Sequence, residues 1–163
     1  MPLCVGSNAM QYSSGRIGRV FAARFQDGES VYAGIEEIAR REQIDSAVVL
    51  AVGGARRGRA VVGPKRTVGP IEPMVVEFDD ARELLGVGTL FGADGQPSLH
   101  LHAGIGRGHR AIVGCPREGL DTFLVLEVFI IEVSGLVAER QLDPASGLRL
   151  LALAGAETVD LGQ

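Results

Sequence analysis

The residue types best suited to binding a metal ion are gathered in one short segment of the sequence. All three histidines, His100, His102 and His109, lie between Ser98 and Cys115, and Cys115 is one of only two cysteines. Imidazole nitrogen and thiolate sulfur are ligands that zinc prefers. The segment therefore predicts either a metal site or a cluster of hydrogen-bonded polar side chains without an ion.

The spacing of these residues fits a β-hairpin whose two-residue turn is Arg107-Gly108. Side chains alternate between the two faces of a strand, so His100 and His102 share a face. The turn places Cys115 opposite His100, with Cβ atoms roughly 4.5–5.5 Å apart. It also places Val113 opposite His102. A slip of one residue would turn Cys115 to the other face. We expect His100, His102 and Cys115 to converge as three ligands and to leave a fourth coordination position open.

Two other residues of these types are expected to lie outside the site. His109 is next to the predicted turn, about 13 Å along the strand from His102 at ~3.3 Å per residue, and is interpreted as solvent-exposed. Cys4 lies in a short polar leader, for which disorder is the expected state.

Length and composition predict one ordinary globular domain. The chain has 163 residues, of which 46% are hydrophobic and 22% charged, and a chain of roughly 150 residues can bury a substantial core. We expect residues 1–14 to be a flexible leader, residues 15–155 a single domain and residues 156–163 a flexible tail. The two cysteines do not form a disulfide framework.

Charge and hydropathy limit the partners. The net charge of −4 excludes a basic field over the whole molecule, so nucleic acid would need a local patch. The longest apolar run, Phe123–Ile131, contains Glu127 and is too short to span a bilayer. The N-terminus lacks the pattern of a signal peptide. We therefore expect a soluble, cytoplasmic protein with no membrane partner.

The hydrophobic pattern predicts an α/β fold with a mostly antiparallel sheet and one main amphipathic helix. The helix is indicated by apolar residues at helical spacing in SVYAGIEEIARREQI. Short β-branched or alternating runs predict the strands. Gly53-Gly54 is expected to separate two of them, Ser46–Val52 and Ala55–Val62. Pro73 predicts an edge strand or a strand start, and Asp143-Pro144 predicts a turn.

From about Arg16 to Leu150 the sequence resembles the plants-and-prokaryotes-conserved (PPC) domain. Its most specific segment is PSLHLHAGIG, with the paired histidines. The other segments follow in the same order: GES, SAVVLAVGGARRGRAVV, ELLGVGTL, AIVGC, LEVFIIE and RQLDPASGLRLL. The resemblance implies a compact α/β domain that assembles as a homotrimer.

The resemblance also bears on the metal site. In prokaryotic members the histidine pair and a third histidine can hold a metal ion, and here Cys115 stands at the third position. Thiolate is a competent zinc ligand, so zinc or another divalent metal stays an expected cofactor. Glu127 matches a recurrent acidic residue in the following strand. It is interpreted either as a hydrogen-bonding partner of an imidazole or as a solvated strand charge.

Plant members carry AT-hooks, which place the arginines of Arg-Gly-Arg-Pro in the minor groove. Here Arg57-Gly58-Arg59 is followed by Ala60 and lies in a predicted strand, so it is not an AT-hook. The densest basic cluster nevertheless includes Arg56, Arg57, Arg59, Lys65 and Arg66. It is interpreted either as a weak nucleic-acid contact or as a solvated sheet edge that discourages strand pairing.

Two functional hypotheses follow. By analogy with the family, the protein is a DNA-associated or regulatory homotrimer. Alternatively, the His100, His102 and Cys115 site belongs to a metal-dependent enzyme or a small-ligand-binding protein. The sequence indicates neither a substrate nor a reaction.

Overall fold

A computed structural model of the protein describes residues 10–68, 71–117 and 119–159. Cys4, the rest of residues 1–9 of the predicted leader, and residues 160–163 of the predicted tail lie outside these ranges. Within them the chain forms eleven strands and one helix, α1 (Val31–Glu42). The strands are β1 (Met10–Tyr12), β2 (Arg16–Gln26), β3 (Ser46–Pro64), β4 (Pro73–Phe78), β5 (Arg82–Ala93), β6 (Gln96–Arg107), β7 (Arg110–Gly114), β8 (Leu120–Ser134), β9 (Ala138–Leu142), β10 (Arg149–Leu153) and β11 (Glu157–Val159).

Nine of these strands form one sheet, in the order β10-β9-β5-β3-β8-β2, with β4 paired to β3, and β6 paired to β5 and β7. Every pairing is antiparallel except a short parallel contact of β5 with β9, at Gly92 and Glu139. The predicted mostly antiparallel sheet with a single helix is confirmed for the described residues. β4 begins at Pro73, as the sequence predicts.

The predicted break at Gly53-Gly54 is wrong, because β3 runs without interruption from Ser46 to Pro64. The register with β8 shifts at this glycine pair, because Leu124 and Val125 of β8 are left out of the pairing, whereas the register with β5 continues unchanged. Gly53 has φ +146°, and a Cβ atom there would lie 2.4 Å from the carbonyl oxygen of Val125. The two glycines therefore allow β8 to approach a continuous strand closely rather than end that strand.

Two short segments from the predicted leader and tail pair with each other in the structure. Met10–Tyr12 pairs antiparallel with Glu157–Val159, so a two-stranded sheet joins regions near the two ends of the chain. Each strand is only three residues long, which is too short for a hydrophobic period to indicate it. The pairing depends on contacts between residues far apart in sequence, which local patterns do not reveal.

Helix α1 covers one side of the sheet, as its amphipathic pattern predicts. Val31, Ile35 and Ala39 are buried in the same core as the inward side chains of β6 and β8. Complete burial of a side chain such as Ile35 contributes roughly 1.5–3 kcal/mol. No helix of the described residues is long and apolar enough to cross a membrane. The packing of α1 against the sheet brings its first turns beside β6.

Candidate metal centre

The hairpin formed by β6 and β7 carries the candidate metal ligands. Its pairing runs from Arg107 with Arg110 to Ala103 with Gly114, so the turn is Gly108-His109 rather than Arg107-Gly108. The predicted pairing partners of His100 and His102 are therefore wrong, and Val113 lies opposite Gly104. Gly108 adopts φ +61°, a conformation that glycine reaches without strain. Moving the turn by one residue changes the register by two, which preserves the alternation of faces.

The three predicted ligands meet in the structure. Their candidate ligand atoms, one from each of His100, His102 and Cys115, all lie within 4.8 Å of one another. The Nε2 atoms of the two histidines are 3.1 Å apart, with the rings close to perpendicular at 73°. Tetrahedral zinc places nitrogen and sulfur ligands roughly 3.3–3.6 Å apart. The predicted convergence of the three side chains is confirmed.

Cys115 is held by a contact between β3 and the end of β7. The backbone N–H of Cys115 donates to the Val61 carbonyl at 2.9 Å, and the N–H of Val61 donates to the Cys115 carbonyl at 2.9 Å. A Cβ atom at Gly114 would lie 2.4 Å from the same Val61 carbonyl oxygen. The glycine before Cys115 thus allows the close approach that fixes the buried thiol.

The electrostatic environment keeps His100 in the form that binds metals. Burial, followed by electrostatic interactions with Arg140, His102 and Arg117, lowers the pKa of His100 to about 4. A neutral imidazole has a free nitrogen lone pair at neutral pH. Arg117 Nε donates a hydrogen bond to Cys115 Sγ at 3.4 Å. The donor types and the neutral form of His100 suit a zinc-type site.

His109 and Glu127 lie away from this cluster. His109 is exposed in the turn between β6 and β7, as predicted. Glu127 lies on β8, which β3 and β5 separate from β6, and its neighbours across the strands are Arg24 and Val52. The path from β8 through β3 and β5 to β6 covers three strand spacings, which amount to roughly 14 Å. The predicted contact of Glu127 with an imidazole of its own chain is therefore corrected, because β8 follows β7 in sequence but not in the sheet.

The five cations of the basic cluster all have acidic partners. Arg57 and Arg59 lie within β3, as expected for residues that do not form an AT-hook. The ion pairs are Arg56 with Asp27, Arg57 with Asp121, Arg59 with Glu77, and both Lys65 and Arg66 with Glu72. A surface whose cations are already paired presents little excess charge to phosphates.

A cleft beside the metal ligands involves residues that the sequence analysis did not select. It has a volume of about 530 Å³ and is bordered by His100, Cys115, Tyr32, Arg117 and Arg140, among others. Arg117 follows Cys115 by two residues, and this proximity is a usable sequence signal. Tyr32 and Arg140 are brought there by helix packing and by the contact of β9 with β5, which no local pattern indicates.

One face of the sheet is exposed and largely apolar, although Glu127 and Arg24 lie in the same row as Val52. Across this face, Phe129 of β8 lies opposite Leu50 of β3, and Leu50 lies opposite Val87 of β5. Val87 in turn lies opposite His102 of β6. This outer face carries seven exposed apolar side chains: Val20, Leu50, Val52, Leu85, Val87, Val113 and Phe129. Contiguous exposed apolar surface of this kind is typical of protein interfaces.

Comparison with protein-family models matches residues 12–134 to the Plants and Prokaryotes Conserved (PCC) domain. A comparison with curated proteins finds no match.

Among solved structures, a metal-containing protein from Archaeoglobus fulgidus has a TM-score of 0.77 and 24% identity, covering 86% of this chain and 98% of its own. A plant- and prokaryote-conserved (PPC) protein from Pyrococcus horikoshii has a TM-score of 0.75 and 24% identity, covering 86% and 96%. A candidate DNA-binding protein from Ralstonia eutropha has a TM-score of 0.68 and 20% identity, covering 80% and 88%. These similarities establish the fold.

Proposed function

The chain belongs to the Plants and Prokaryotes Conserved (PCC) domain family, and from this premise we propose that it is a homotrimeric metal-binding protein. In this proposal His100, His102 and Cys115 hold one zinc-type divalent ion per chain. The observation that carries the proposal is the convergence of their ligand atoms within 4.8 Å. The metal-containing relative from Archaeoglobus fulgidus is consistent with it.

The donor set suits zinc or a similar ion. Two neutral imidazoles and one thiolate are borderline-soft ligands, and three protein ligands leave room for a water or a small molecule. When bound, such an ion supplies a Lewis acid that polarises an oxygen ligand. The chain's own contribution is to hold the ligands: β6 aligns the two imidazoles, and the contact of β7 with β3 fixes the thiol.

The outer face of the sheet supports the homotrimer. Its apolar side chains would be covered by the same face, or an adjoining surface, of a second and a third copy. The threefold arrangement comes from the family resemblance. All three proposed metal ligands belong to a single chain, so the metal site and the assembly are separable parts of the proposal.

DNA association is the second candidate function. It is favoured by the description of the Ralstonia eutropha relative as a candidate DNA-binding protein. The ion pairs of the basic cluster and the net charge of −4 argue against it. We therefore expect no mobility shift of an A·T-rich duplex at low salt, and a clear shift would restore this hypothesis.

The metal proposal is tested by elemental analysis of purified protein. Wild type supplied with zinc and then freed of excess ion is expected to retain about one zinc per chain, while His100→Ala retains less than a tenth of that. His109→Ala is the matched control, because it removes an exposed histidine from the same hairpin, and should retain full zinc. Wild type without zinc, or His100→Ala with wild-type zinc content, would show that the cluster is a polar network instead.

A further inference from the structure

The cleft beside the candidate metal ligands has the size of a small-molecule site. Its volume is about 530 Å³, within the usual range for such sites of roughly 300–1,000 Å³. Its lining includes Tyr32 and Glu36 of α1, Arg140 of β9, and residues just before and at the start of β10. His100 and Cys115 form part of the wall, so a molecule in the cleft would lie against the metal ligands.

The charge of the cleft is opposite to that of the whole protein. Arg117, Arg140 and Arg149 border it together with a single carboxylate, Glu36, although the chain carries a net charge of −4. Arg149 is paired with Asp94, and Glu36 accepts a hydrogen bond from the backbone N–H of Leu99.

The other two arginines of the cleft have no carboxylate partner among the described residues. Neither Arg117 nor Arg140 forms an ion pair with any acidic side chain of residues 10–68, 71–117 and 119–159. Arg117 donates to Cys115 Sγ, and Arg140 donates to Thr89 Oγ1 at 2.7 Å. Two such cations next to one cleft attract an anion into it.

Two buried donors in the walls of the cleft also have no acceptor. The hydroxyl oxygen of Tyr32 and Nε of Arg140 are buried without a hydrogen-bond partner within the described part of the chain. A tyrosine hydroxyl can donate a hydrogen bond. Buried donors left without an acceptor are costly, and an oxyanion supplies several lone pairs at once.

We propose that this cleft binds the oxyanion group of a small organic acid or phosphate, with Arg117 and Arg140 as charged anchors and the Tyr32 hydroxyl as a further donor. The proposal rests on the proposed function in placing this anion beside the metal held by His100, His102 and Cys115. Guanidinium groups suit the planar, multiply accepting geometry of carboxylate and phosphate. The site would select anionic ligands over neutral molecules of the same size.

The test is calorimetric titration of the full-length, zinc-supplied protein at low ionic strength, with inorganic phosphate and with succinate as separate probes. We expect at least one probe to bind, and Arg117→Ala to weaken that binding by about 10- to 100-fold, the loss of a charge-assisted hydrogen bond. Arg110→Ala is the matched control, because it removes the same charge from the exposed end of β7, and should change affinity less than twofold. Arg140→Gln should repeat the loss seen for Arg117→Ala.

The outcomes separate the two probe classes and the two proposals. Binding of phosphate alone assigns a phosphate ligand, and binding of succinate alone assigns a carboxylate ligand. Absence of binding to both probes, or an equal loss in Arg110→Ala, overturns the anion site. Zinc content is measured on the same samples, so protein that retains zinc but binds neither probe refutes this inference and leaves the metal site standing. Protein that lacks zinc refutes the metal site directly.

Discussion

Leu85→Asp is expected to convert the proposed trimer into monomers at micromolar concentration. Leu85 lies near the centre of the apolar sheet face, opposite Val52 on β3 and Gly104 on β6, and is 69% exposed in the single chain. In a trimer built on this face, each chain would bury an unpaired carboxylate, at a cost of several kcal/mol per ion. A trimer would bury three such carboxylates, and their summed free-energy cost is expected to outweigh the favourable contribution of the interface.

Light scattering measures this effect directly. Wild type should have the mass of three chains of 17.2 kDa, and Leu85→Asp the mass of one. Leu142→Asp makes the same chemical change at a leucine that is 59% exposed at the end of β9. Leu142 is not one of the seven apolar side chains of that face, so this variant should remain a trimer. A trimeric Leu85→Asp would show that another surface holds the assembly, and a monomeric wild type would refute the assembly itself.

The same variant separates assembly from metal binding. Since His100, His102 and Cys115 belong to one chain, the monomeric Leu85→Asp protein should retain the zinc content of wild type. Loss of zinc on dissociation would instead mean that a neighbouring chain completes the site.

Cys115→Ser is expected to weaken zinc binding by at least 100-fold. The substitution replaces the buried thiol with a hydroxyl of similar size, which stays protonated at neutral pH and is a poor zinc ligand. Losing a partner that only orients a ligand already costs 10- to 100-fold in metal affinity. Losing the ligand itself should therefore cost at least as much as the upper end of that range.

Thermal unfolding with and without zinc measures this loss. At a zinc concentration 100 times the wild-type Kd, bound metal stabilises the folded protein by about 2.7 kcal/mol. A variant that binds 100-fold more weakly retains only about 0.4 kcal/mol of this effect. Comparison of each protein with its own metal-free form removes the direct effect of the substitution on folding. Equal zinc stabilisation of Cys115→Ser and wild type would exclude the sulfur as a ligand.

The convergence of the candidate metal ligands was predictable because it depends on strand parity. The sequence pattern predicts a turn at Arg107-Gly108, one residue before the observed Gly108-His109 turn, and therefore predicts the wrong pairing partners. A turn of two residues moved by one changes the register by two, and every side chain keeps its face. The three side chains were therefore predicted correctly to share a face, although the predicted pairing partners were wrong.

Helix α1 was predictable from local pattern, whereas the cleft was not. Val31, Ile35 and Ala39 have the helical spacing that local analysis detects. Arg140 reaches the cleft because β9 contacts β5, about 50 residues earlier in the chain, and no local pattern indicates such pairing. Glu127 was misplaced for the same reason: the strand after β7 in sequence pairs with β2 and β3 instead.

The most direct test of the central claim is X-ray absorption at the zinc edge of the zinc-loaded wild-type protein. A site made by His100, His102 and Cys115 predicts one sulfur at about 2.3 Å and imidazole nitrogens at about 2.0–2.1 Å from the metal. A first coordination shell of oxygen and nitrogen alone, with no sulfur, would contradict it.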